Sequence, residues 1–368
     1  MLTQDENLRY SRQMSLPEIG TSGQKKLKSS SVAIVGLGGL GSPLALYLAA
    51  AGIGHLGLID FDIVGISNLH RQILYKDVSI GESKLKSASK TLKSRNPNIK
   101  ISIHEVRLNQ ENALDILKDY QIVADCSDNF STRYLVNDSS VLLGIPNVSG
   151  SVYQFEGQIS IFGAQDGPCY RCIHPTPPHS DLIPNCAESG VLGVLPGLIG
   201  TLQANEVIKL LLGIGNPLIG RMAMINLIES DWDTIAFQKN PDCQRSGQCQ
   251  QITELVEYVN VCESDEIMTV HEFGKLIRNQ TPFYLLDVRQ SHEADSLEMG
   301  ADQRLSVDEL SDRISEINAD VNDQIIVHCQ TGVRSLKATH ILRHKGFHHA
   351  KSLDGGIIAW KQFEEHKK

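Results

Sequence analysis

A chain of 368 residues is too long for one ordinary hydrophobic core, so two domains with a linker between them are expected. With 34 Lys and Arg against 43 Asp and Glu, the formal charge is −9. No cationic block is dense enough to grip nucleic acid or an anionic membrane, and neither is expected as a partner. The N-terminus, MLTQDENLRY, is polar and acidic, and Gly, His or Pro interrupts the apolar stretches at 44–59 and 191–202, so a soluble cytoplasmic protein is expected. The eight cysteines of such a protein suit thiols, thiolates and metal ligands better than a disulfide framework.

In chain order, SVAIVG, HLGLID, KISIHEV and IVADCS read as strands alternating with helices at 43–51, 84–94 and 111–118. That alternation predicts a parallel α/β sheet with helices on both faces. After Ile145-Pro146, GQISIFG reads as an antiparallel strand, and the loop 169–185 carries Pro175, Pro177, Pro178 and Pro184, so it cannot be helical throughout. Leu202, Val207, Leu210 and Leu211 predict a helix over 200–212 with Gly213 as its C-cap. Structural signal is sparse from 249 to 265. From Glu266 a new alternation runs through TVHEFGKLI, FYLLDVR, a helix at 307–317, QIIVHC, another helix and AKSLDGGIIAW. The expected division is a first α/β domain over 1–250, a linker over 251–265 and a smaller α/β domain over 266–368.

The β-branched run before Gly36-x-Gly38-x-x-Gly41 marks a turn whose backbone amides approach a phosphate at a helix N-terminus. The same turn serves dinucleotide redox enzymes and ATP-using enzymes. Asp60, ~20 residues past the last glycine, is placed to accept ribose hydroxyls, which taken alone supports NAD. The segment DFDIVGISNLHRQIL then gathers Asp60, Asp62, Asn68, Arg71 and Gln72, and Lys84 follows. Two cations and a polar amide can neutralise a triphosphate of roughly four negative charges, more than a dinucleotide requires. Asp128, in ADCSDNFSTR, is placed to hold Mg²⁺ against those phosphates. Singly, each charge reads as solvated surface; together they favour ATP.

Cys169-x-x-Cys172 with Cys243 and Cys249 reads as a Cys₄ Zn²⁺ site, or else as free or redox-sensitive thiols. In IIVHCQTGVRS, Cys329 heads a loop that closes with Arg334 at the start of a helix near Ser335. Loop amides, helix N-terminus and guanidinium form a positive cradle for a thiolate or persulfide. A tyrosine-phosphatase loop has five residues between Cys and Arg, and here there are four. Cys126 and Cys262 read as core residues, and His340, His344, His348 and His349 as a solvated helix end rather than a metal shell.

LRYSRQM, GLGGLGS, LIDFD, SNLHRQ, the Lys84 context, SDN and CAESGVLGVLPGLIGTLQANE together resemble the MoeB/ThiF family, relatives of the adenylating half of ubiquitin-activating enzymes, from Leu8 to about Cys249. LLDVR, HCQTGVRS and LDGGIIAW resemble the rhodanese fold from about Glu266 onward, although SHEADSLEMGADQRL lacks the usual GH-I-GA pattern. The resemblance implies a Rossmann-like, ubiquitin-activating-type adenylation domain followed by a rhodanese-like sulfurtransferase domain. It implies that ATP adenylylates the C-terminal glycine of a ubiquitin-like sulfur carrier, after which persulfide sulfur passes from the rhodanese domain to form a thiocarboxylate. Carried over residue by residue, Gly39 and the glycine turn hold phosphate, Asp60 holds the ribose, and Asn68, Arg71 and Lys84 contact the phosphates, with Asp62, Ser67 and Gln72 also at the nucleotide. Asp128 serves the metal with Asn129 beside it. The arginine matching Arg12 reaches the partner subunit's site, implying a homodimer. Cys186 stands where relatives place a cysteine able to link to the activated carrier, and Cys329 and Arg334 carry the persulfide chemistry, charged by a donor such as a cysteine desulfurase. The family's structural zinc uses two C-x-x-C pairs, whereas Cys243 and Cys249 enclose five residues. The implied role is molybdopterin-synthase adenylyltransferase and sulfurtransferase, with thiamine synthesis and tRNA thiolation also compatible. Two other readings stand beside it: an NAD-dependent oxidoreductase fused to a sulfur-binding module, and a noncatalytic sulfur-relay scaffold.

Overall fold

The computed structural model describes residues 1–176, 190–243, 245–246, 253–255, 266–290, 293 and 298–365. They separate into two compact units, Met1–Asn260 and Val261–Lys368. Among the described residues no helix is long and apolar enough to cross a membrane.

In the first unit an eight-stranded sheet runs in the order β3-β2-β1-β4-β5-β6-β7-β8. Its strands are β1 (Ser31–Val35), β2 (His55–Asp60), β3 (Lys100–Glu105), β4 (Ile122–Asp125), β5 (Asn147–Tyr153), β6 (Glu156–Phe162), β7 (Arg221–Asn226) and β8 (Asp231–Ala236). The first five pair in parallel and the last three add antiparallel. β1 is apolar along its length because both faces are covered. Val32 and Ile34 pack with Leu44 and Leu48 of helix Gly41–Ala51 and with Val207 and Leu211 of helix Val194–Leu212. Ala33 and Val35 point the other way, to Leu117, Leu135 and Val136.

Two helices of this unit depart from expectation. Val194–Leu212 begins six residues before the expected Gly200, because Pro196 falls in the first turn, where a missing N–H costs nothing. Its end is as expected, with Gly213 in the left-handed region at φ +73°. The expected helix over 111–118 is only Ala113–Leu117, since Asn109 Oδ1 takes the N–H groups of Glu111 and Asn112 into a local turn.

The second unit is a five-stranded parallel sheet, β11-β10-β12-β13-β9. Its strands are β9 (Ile267–Met268), β10 (Tyr284–Asp287), β11 (Gln303–Arg304), β12 (Ile325–His328) and β13 (Lys351–Leu353). Alternation along β12 sends Ile325 and Val327 to Ala338 and Leu342 of helix Val333–His344. Ile326 faces Phe273 and Trp360 on the opposite side. The helix expected over 307–317 is split into Val307–Leu310 and a 3₁₀ turn, Ile314–Glu316. Arg313, between them, bonds both Glu309 and Glu316.

The glycine turn lies between the end of β1 and helix Gly41–Ala51. A Cβ on Gly41 would stand 2.0 Å from the Gly36 carbonyl oxygen, a backbone atom that cannot swing aside. Gly41→Ala is therefore expected to cost the first unit about 3 kcal/mol or more in urea denaturation, with the second unit's transition unmoved.

Candidate active site

Strand order reverses between β1 and β4, and the carboxyl ends of parallel strands open a crevice at such a point. A cavity of about 310 Å³ occupies it. Of the residues expected at a nucleotide, Gly36, Gly38, Gly39, Asp60, Asp62, Arg71, Gln72, Lys84, Asp128 and Asn129 line this cavity. Gly41 lies beneath the turn. Ser67 and Asn68 support rather than line it: Ser67 O accepts from Arg71 Nη1 at 3.0 Å, and Asn68 Oδ1 accepts from Gly65 N at 3.0 Å. Arg12 is exposed on the short helix Ser11–Met14.

Asp60 organises the mouth. Its Oδ2 accepts the Leu37 N–H at 2.7 Å, and its Oδ1 accepts those of Phe61 at 2.8 Å and Asp62 at 2.9 Å. Asp62 in turn holds Lys84 Nζ at 2.8 Å, which fixes a lysine only 5% exposed at the cavity wall. Gln72 is buried, and its Oε1 has no hydrogen-bond partner among the described atoms, an acceptor left for a bound group. Asn129 caps helix Phe130–Leu143 by accepting from Thr132 N at 2.9 Å, which brings that helix N-terminus to the cavity.

Sequence reasoning missed two cations here, Arg107 and Arg133. Arg133 is one helical turn beyond Asn129 and donates to Ser127 O at 3.1 Å, so the i, i+4 spacing was the available signal. Arg107 lies over the Phe61 ring at 5.4 Å, brought there by the parallel register of Asp60 with Glu105. The cavity thus gathers Arg71, Lys84, Arg107 and Arg133 with Asp60, Asp62 and Asp128. Cys126 also lines it, but burial, then the nearby Asp125, pushes its thiol well up, which makes it a poor nucleophile.

Cys169, Cys172 and Cys243 converge, with all three sulfurs within 4.8 Å of one another, and are the one such group among the described residues that could hold a metal ion. Cys169 Sγ is 3.6 Å from Cys243 Sγ and 3.9 Å from Cys172 Sγ. The contact with Cys169, opposed by burial, draws the Cys172 thiol down, and the same contact, with burial, pushes Cys169 up. Cys249, expected as the fourth ligand, and Cys186 both lie outside the described residues, as does Cys262.

In the second unit Cys329 directly follows β12 and is buried. Gly332 N donates to its Sγ at 3.2 Å, and Ser335 Oγ lies 3.6 Å away. Gly332 has φ +95°, a left-handed conformation that turns its amide toward the thiol just before helix Val333–His344. Arg334 is held by both oxygens of Glu293, at 2.5 and 2.7 Å. His340 at the solvated helix pairs with Glu266 at 2.9 Å, an acidic partner not foreseen from spacing.

His328, next to the thiol, is fully buried, and among the described atoms neither ring nitrogen has a hydrogen-bond partner. Desolvation lowers its pKa from 6.5 to about 4, against the attraction of Asp287. A histidine depressed on folding contributes stability that is complete above pH 6.5 and lost as pH falls toward 4. The second unit is expected to lose on the order of 3 kcal/mol over that window, and His328→Leu to flatten the loss, read from melting temperature against pH.

Comparisons with known proteins agree with this geometry. A model of the ThiF family matches residues 10–245, and a rhodanese-like domain matches 269–363. The chain is 39% identical to a Zea mays adenylyltransferase and sulfurtransferase MOCS3-2 over 98% of its own length and 80% of the relative's. It is 38% identical to a probable adenylyltransferase/sulfurtransferase MoeZ of Mycobacterium tuberculosis over 98% and 94%. A sulfur carrier protein adenylyltransferase of Thermus thermophilus is 48% identical over 71% of this chain and 98% of that protein. Among solved structures, E. coli MccB superposes with a TM-score of 0.60 at 23% identity, covering 67% of this chain and 74% of that one, which bears on the fold alone. The chain belongs to the ThiF family, with a rhodanese-like domain following its Rossmann-like adenylation fold.

Proposed function

We propose that the protein uses ATP to adenylylate the C-terminal glycine of a ubiquitin-like sulfur carrier and then delivers sulfur to it from Cys329. The observation that carries this reading is a cavity of four cations at a strand switch point in the same chain as a buried thiol that accepts from the Gly332 amide and lies beside the Ser335 hydroxyl. The full-length likeness to proteins named for both activities supports it.

In this reading the glycine turn around Gly36, Gly38 and Gly39 takes phosphate at the start of helix Gly41–Ala51, and Asp60 and Asp62 face the ribose. Arg71, Lys84, Arg107 and Arg133 neutralise charge that grows as the carrier's carboxylate oxygen bonds the α-phosphorus and pyrophosphate leaves. Gln72 offers an acceptor to the nucleotide. Asp128, with Asn129 beside it, would hold Mg²⁺, which shields the phosphates. Ser67 and Asn68 keep Arg71 and the loop in place, and Arg12 serves the site of a second copy in a homodimer.

The terminal sulfur of a Cys329 persulfide, charged by a donor such as a cysteine desulfurase, attacks the acyl carbon and AMP leaves. An incoming thiol then opens the acyl disulfide, which frees the carrier thiocarboxylate and leaves a disulfide on the protein side. Arg334 adds positive charge at the loop, and Cys186 serves as a covalent partner for the activated carrier. Cys169, Cys172 and Cys243 fit Zn²⁺, since their sulfurs already converge, and the metal would tie Cys243 to the short helix Tyr170–Ile173 that carries Cys172. The carrier is that of molybdopterin synthase, and the work is cytoplasmic.

Lys84→Ala is expected to lower carrier-dependent ATP–pyrophosphate exchange by about 10²–10³ while leaving thiosulfate sulfurtransferase activity of the second unit intact. Cys329→Ala is expected to do the reverse: exchange persists and sulfur transfer stops. Loss of both activities in either variant contradicts the division of labour.

A further inference from the structure

The cluster of sulfurs has a fourth corner that is not a cysteine. Ser246 Oγ lies 3.1 Å from Cys169 Sγ, 3.4 Å from Cys172 Sγ and 3.5 Å from Cys243 Sγ. For zinc bonded to sulfur at about 2.3 Å and to oxygen at about 2.0 Å, a tetrahedron has S···S edges of about 3.8 Å and S···O edges of about 3.5 Å. Two S···S edges, 3.6 and 3.9 Å, and two of the S···O distances lie close to that figure, and the third S···O distance, 3.1 Å, would lengthen by about 0.4 Å on binding.

A second, independent observation places Ser246 in the ligand set. Cys169-Tyr170-Arg171-Cys172 and Cys243-Gln244-Arg245-Ser246 carry the same sequence pattern, C-x-R-C and C-x-R-S. Both arginines are buried, and both are anchored by Asp138. Arg171 Nε and Nη2 each reach its carboxylate at 3.0 Å, and Arg245 Nη2 donates to its carbonyl at 2.8 Å. The shared anchor gives Ser246 the station in its motif that Cys172 has in the first.

We propose that this chain builds a three-sulfur, one-oxygen zinc centre from Cys169, Cys172, Cys243 and Ser246, and that Cys249 is not a ligand. The proposal rests on the zinc reading above. A hydroxyl binds zinc less strongly than a thiolate, so the Ser246 corner is the exchangeable one and the metal is held less tightly than in an all-thiolate site.

The test is X-ray absorption at the zinc edge of the purified full-length chain, with zinc release to a chelator as the second readout. The wild type is expected to show three sulfurs and one light ligand. Cys249→Ala should keep both its zinc and that shell. Ser246→Ala should release zinc on the order of tenfold faster, and Ser246→Cys should show four sulfurs and slower release. Four sulfurs in the wild type, falling to three in Cys249→Ala, would overturn the assignment while leaving the zinc reading intact. A light ligand with unchanged release in Ser246→Ala would assign the corner to water and overturn it too. A full-length chain that neither contains nor takes up zinc would overturn the zinc reading itself.

Discussion

The carboxylate of Asp60 ties the first unit's chemistry to its fold. One oxygen grips the Leu37 amide inside the glycine turn, and the other grips the two amides that follow β2. The turn is thereby fixed to the end of the neighbouring strand, and Asp62 is fixed in the same step. Lys84 is then pinned by Asp62 rather than left to wander. A chain of charge-assisted contacts runs from strand register to the position of a cation, which is what electrostatic stabilisation of a phosphoryl group requires.

The second unit solves a related problem by other means. Its thiol is buried just past the end of a central strand and accepts from the amide of Gly332, whose left-handed conformation turns the chain back toward the sulfur. Behind the thiol the neutral His328 and the buried pair of Asp287 and Arg289 fill the space under the loop. Both sites are built at the carboxyl ends of parallel strands, where strand geometry presents loop amides and helix N-termini to a negatively charged group.

What was legible in the sequence is what is local. The glycine spacing, Asp60 at the end of β2, Arg71, Lys84, Asp128 and the six-residue loop from Cys329 to Arg334 lie within short segments whose backbone is set by neighbouring residues. Arg107 escaped notice because only the pairing of β2 with β3 carries it to Phe61. Arg133 was hidden in an otherwise ordinary helix. Glu293 meets Arg334 across 41 positions, and Glu266 meets His340 through the sheet's closure. Ser246 was overlooked because a search for zinc ligands looks for cysteine, and its place is evident only once Asp138 is seen to anchor both arginines.

The central claim is that one chain activates a carrier carboxylate in its first unit and replaces the carboxylate oxygen with sulfur from its second. A single-turnover reaction of persulfide-loaded protein with ATP, reductant and a ubiquitin-like carrier ending in glycine, followed by the intact mass of the carrier, tests it directly. The account predicts a carrier in which one oxygen is exchanged for sulfur, formed with one AMP for each carrier converted. A carrier of unchanged mass despite AMP release, or sulfur gained without any ATP consumed, would contradict it.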